Sequence, residues 1–192
     1  MAWRKTGTPD TLTVTGNALV ISDLTGNKFN MFLSHIVSKT TNQGIATTLF
    51  NSSGGNDYAQ RKSINGASGG TDVSQSAWYD QSVRTDTDDS FQIHQIINID
   101  GEEKLAQEWA VNANTAGSSN APERLEFVGK YDTSTNSGQF SRIDLDGSSG
   151  TMGVNSNLSA LGSDGTESLN VQDGAIYYET DTNKEFLLSN DI

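Results

Sequence analysis

The sequence predicts an all-β protein: an antiparallel jelly-roll β-sandwich with a C-terminal β-hairpin appendage. Apolar residues make up only 33% of the 192 positions. They fall in short runs that alternate with polar residues, which is the period-2 pattern of half-buried strands. The 19 Gly and 2 Pro, together with Ser, Thr and Asn, interrupt these runs at short intervals, as turns require. No helical pattern intervenes, so layered sheets are the architecture that remains.

Taken in order, Thr11-Leu12-Thr13-Val14-Thr15 reads as a strand with Leu12 and Val14 on one face. Phe29 to Val37 has apolar residues at both helical and strand offsets. Gly26-Asn27 opens it, Thr40 to Gly44 closes it, and no residue caps a helix there, so it is assigned as a strand. Phe29, Met31, Leu33 and Val37 then point one way. Gly44 to Asn51 and Tyr58 to Ile64 read as a strand pair around the loop at 52–57. Asn65 to Gly70, NGASGG, is too rich in glycine for regular structure. Asp72 to Tyr79 follows as a strand.

The middle of the chain carries the clearest alternation. Phe91, Ile93, Ile97 and Ile99 are expected to point inward, Asp100-Gly101 supplies the turn, and Leu105, Trp109 and Val111 alternate in the returning strand. This hairpin is expected at the centre of the core. Arg124 to Tyr131, with Leu125 and Phe127 on one face, and Phe140 to Leu145 continue the pattern, and Leu158 to Gly165 closes the sandwich. Residues 1–164 are thus expected to form the sandwich domain and 165–192 an extension. In that extension Ile176 to Thr180 pairs with Glu185 to Leu188. An isolated two-stranded hairpin is marginal in water, so it needs a surface to pack on.

Composition narrows the function classes. With no cysteine, there is no disulfide framework, thiol nucleophile or Cys-ligated metal. A formal charge of −12 repels phosphate backbones and argues against a nucleic-acid partner. The charge is uneven: residues 1–60 carry 4 bases and 3 acids, 61–132 carry 6 and 12, and 133–192 carry 2 and 9. The N-terminal part is therefore the better suited to lie against a neighbour. No apolar run approaches the roughly 20 residues of a membrane helix, and no signal-peptide core follows Met1. The expectation is a soluble protein made in the cytoplasm without membrane insertion.

Several residues qualify for chemistry by type alone. His35 and His94 each lie in an apolar strand, without a nearby nucleophile motif, and read as structural. Glu102, Glu103 and Glu108 resemble a glycosidase pair in spacing, but Glu102 and Glu103 occupy a turn beside Lys104, where charge keeps a hairpin end soluble. Asp86, Asp88 and Asp89 have the alternating look of a calcium loop, yet the glycine and glutamate of an EF-hand are missing. Trp78, Tyr79, Tyr177 and Tyr178 are candidates for stacking on a glycan or for an interface. NGASGG lacks the Lys-Ser/Thr and helix of a phosphate loop. No catalytic residue, cofactor or enzyme activity is expected.

Several segments together resemble a family of tailed-phage virion-associated β-sandwich proteins, described as decoration, minor structural or tail-associated proteins. They are DTLTVTG at 10–16, DLTGNKF at 23–29, LFNSSGGNDYAQRKSINGASGGTD at 49–72, INIDGEEKLAQEW at 97–109 and TAGSSNAPERLEFVGKYD at 115–132. GAIYYETDTNKEFLL at 174–188 is similar to a hairpin found near the ends of phage fibre and virion proteins, although the usual terminal Gly and Trp are replaced here by Ser189 to Ile192. The resemblance implies a virion-located, homo-oligomeric structural subunit bound to other capsid or tail proteins. Its alternative is a receptor-binding or carbohydrate-binding module that recognises host surface glycans.

Overall fold

The computed structural model describes residues 3–37, 46–80, 89–113, 118–119, 121–132, 138–147, 150–164, 176–179 and 184–187. Its secondary structure is entirely antiparallel strand, arranged as a sandwich-like pair of sheets. The larger sheet takes β1 (Arg4–Lys5), β13 (Asn157–Ser163), β4 (Phe29–Ile36), β9 (Ser90–Ile97), β10 (Lys104–Asn112), β11 (Glu123–Tyr131), β6 (Tyr58–Ile64) and β7 (Ala67–Gln75), in that spatial order, with β2 (Asp10–Thr11) also on β13. The smaller sheet runs β3 (Ala18–Ile21), β12 (Ile143–Gly147), β5 (Ala46–Phe50) and β8 (Trp78–Asp80). β14 (Ile176–Glu179) and β15 (Lys184–Leu187) pair with each other.

Between the sheets lies a single aromatic core. Phe50 and Trp78 from the small sheet meet Phe32, Tyr58, Phe127 and Tyr131 from the large one. The Trp78 ring stands edge-on to Phe50 at 5.1 Å and to Phe127 at 5.4 Å, and its indole N–H donates to the Lys130 carbonyl at 3.1 Å. Burying rings of this size while satisfying the indole donor is the main local source of stability. Gly129 belongs to this packing, because a Cβ there would lie 2.5 Å from Phe127 and 2.9 Å from Trp78.

Three local expectations change. β5 and β6 do not pair: β5 joins β12 and β8 in the small sheet, whereas β6 joins β11 and β7 in the large one. The loop at 52–57 is therefore a crossover between layers. The NGASGG segment is not a loop. Asn65 and Gly66, at φ of 52° and 82°, make the two-residue turn of a hairpin whose return strand β7 starts at Ala67. Asn-Gly favours the left-handed conformations that such turns need. Finally, the extended run at 11–15 is short. Only Asp10 and Thr11 pair, Leu12 is half-buried, and Val14 is 70% exposed.

Candidate functional site

β9 and β10 form the expected hairpin, with Leu105 opposite Ile97 and Val111 opposite Phe91. Their apolar phase, however, faces away from the small sheet. Phe91 is 44% exposed, Leu105 53% and Trp109 50%, and Ile97 and Val111 are exposed as well. This corrects the expectation that these residues point inward.

The cause lies in the neighbouring strands. Residues paired across a sheet share a face. In one row Phe32 of β4, His94, Glu108 and Phe127 of β11 lie side by side. Phe32 and Phe127 belong to the aromatic core, so His94 and Glu108 face inward with them, and Ile93 and Trp109 take the opposite side. Turning the hairpin over in this register would restore the usual polarity of β9 and β10 but carry Phe32 and Phe127 outward with it.

The inner side of this hairpin consequently holds polar groups. The Ser34 hydroxyl donates to Gln92 at 2.9 Å, and His94 lies 3.9 Å from Glu108, both with almost fully buried side chains. Lys62 bonds Asp72 at 3.1 Å, and the Gln60 amide donates to the same carboxylate at 2.8 Å. The Lys62 hydrogen bond holds the Asp72 carboxyl below its ordinary range, against the opposing effect of desolvation. Lys104 is wholly buried. Its ammonium donates to the carbonyls of Ile99 and Glu102, and burial pushes its pKa down. These contacts knit the interior and the turn, giving Ser34, Gln92, Lys62 and Lys104 the partners that desolvation demands.

The outer side is a continuous apolar face. Phe29, Met31 and Leu33 of β4 extend it on one flank and Val128 of β11 on the other. Trp3, Phe29, Ile97, Leu105 and Val128 line a shallow groove of about 430 Å³. Near the middle, the Gln107 side-chain amide donates to Gln95 at 2.6 Å. Charges sit toward the β11–β6 side, where Arg124 faces Glu126 at 3.5 Å and Lys130 bonds Glu103 at 2.8 Å. Such an arrangement suits adhesion by buried apolar area, with polar groups at its margin.

The residues singled out by sequence do not converge. Trp78 is completely buried in the core, out of reach of a sugar ring. Adjacent Tyr79 is half-buried, with its hydroxyl 3.4 Å from that of Ser76. Tyr177 and Tyr178 lie in β14, but their side chains fall outside the described residues, as do Asp86 and Asp88. Asp89 is exposed, 3.7 Å from His35. Glu102 and Glu103 are exposed at the hairpin turn, whereas Glu108 is buried on the inner face. Among the described residues no three His, Cys, Asp or Glu side chains are placed to share a metal ion.

Sequence reading found the apolar members of the outer face on β9 and β10 but placed them inside. It passed over Trp3 and Val128, whose isolated positions carry no periodic signal. Comparison with protein-family models and with curated proteins finds no match to this chain.

Proposed function

We propose that the chain is a structural subunit of a tailed virus particle, a jelly-roll module with a C-terminal hairpin, attached to the capsid exterior or the tail by protein–protein contacts. The observation that carries adhesion is the outer face of the large sheet, where Phe91, Leu105 and Trp109 are each close to half exposed. Apolar patches of several hundred Å² on a folded protein mark interaction surfaces. The virion setting draws support from the similarity of roughly residues 10–164, and of the 174–188 segment, to virion-associated sandwich proteins. In this reading the protein works by adhesion and carries out no reaction.

Immunogold labelling of purified particles with an antibody to the full chain tests the reading. Label on the head exterior or the tail supports it. Particles without label and without the chain in their protein content overturn it.

A further inference from the structure

We propose that the occupant of the outer sheet face is a second copy of this chain. The inference rests on the adhesive role proposed above and names its partner.

The chain carries −12, so copies repel one another over most of their surface. On the outward positions of β4, β9, β10, β11 and β6, Arg61, Arg124 and Lys130 stand against Glu126 alone, a net of three minus one, or +2. Lys130 is in turn bonded to Glu103, so this face carries little net charge, and two copies meeting through it avoid the acidic surface elsewhere on the chain. The remaining charges lie toward one side, so the meeting surface is mostly uncharged.

The face is also self-complementary. The centre of the face presents apolar side chains around the Gln95–Gln107 amide pair. An amide both donates and accepts, and apolar surface matches apolar surface, so this pattern fits a copy of itself. A strongly basic partner would find no matching field here.

The area also fits. Five strands spaced about 4.8 Å apart and some 26 Å long present about 600 Å² before side-chain corrugation. Two such faces together approach 1,200 Å², the lower end of stable protein interfaces. A single copy supplies the matching area without any further element.

The test is the solution mass of the full-length chain by sedimentation over a range of concentrations. The expected result for the wild type is at least twice the 20.6 kDa of one chain. The double substitution Leu105→Glu with Trp109→Glu places unpaired carboxylates in the contact and should weaken association by roughly 100-fold or more, with an unchanged strand signal in far-ultraviolet circular dichroism. Gln107→Lys, at an exposed polar position that folding tolerates, should weaken association in the same direction and decides the matter if the glutamates unfold the sandwich. Val14→Glu, off this face, should leave the mass unchanged. A wild type that stays monomeric at tens of micromolar overturns the proposal, whether its face is bare or covered by its own residues 165–192. So does an oligomer whose mass ignores both face variants. A monomer that still labels the virus particle sinks the self-association and leaves the structural role standing.

Discussion

The two sides of the β9–β10 hairpin are opposite in kind. Inward, beside the buried Ile96 and Ala110, lie Ser90, Gln92, His94, Lys104, Glu108 and Asn112, all buried, while outward lie Phe91, Ile97, Leu105, Trp109 and Val111, all exposed. Elsewhere in the same sheet β11 buries Leu125, Phe127 and Tyr131 in the ordinary way. One sheet thus contains strands of both polarities, because side chains in a cross-strand row must share a face and the aromatic rows set which face is inside. An alternating strand reports that its faces differ, and its neighbours decide which is covered.

Substitutions can break or sharpen this contrast. The largest effect is expected from Trp78→Ala, which empties the aromatic core and should cost about 3–5 kcal/mol in urea unfolding. Gly129→Ala should cost about 1–3 kcal/mol, because the added methyl group meets Phe127 and Trp78 with no open space to enter. Trp109→Ala removes an indole of comparable size from the outer face. Measured where the chain is monomeric, it should change unfolding free energy by about 0.5 kcal/mol or less. A loss equal to that of Trp78→Ala would show that the outer face is part of the core and erase the contrast.

The smallest effect concerns pH. Asp72 has a folded-state pKa below its unfolded value, chiefly through the hydrogen bond from Lys62. Its contribution is therefore present above the unfolded pKa and lost as pH falls through the folded one. The wild-type urea midpoint should decline below about pH 4 more steeply than that of Asp72→Asn. Equal slopes would show that the buried polar side of the sheet does not depend on this carboxylate.

Much of the fold was legible locally. The Asp100-Gly101 turn and its two strands stand where the alternation put them, and Leu125 and Phe127 are buried together as read. The glycines of 65–70 argue against regular structure, yet Asn65-Gly66 is itself a hairpin signal and the strand β7 begins within the segment at Ala67. Pairing partners across layers, such as β5 with β12, were not legible, since sequence neighbours are the default expectation and a crossover leaves no local mark. For the candidate site, the residues of β9 and β10 were visible and their direction was not.

Period, turn chemistry and composition are properties of adjacent residues, and they suffice to make this chain all-β, antiparallel and acidic. A period of two is unchanged when a strand is turned over, so it cannot say which face meets the second sheet. That choice followed from the rows in which Phe32 and Phe127 flank His94 and Glu108, where burying the aromatic rings left Trp109 and its neighbours facing outward.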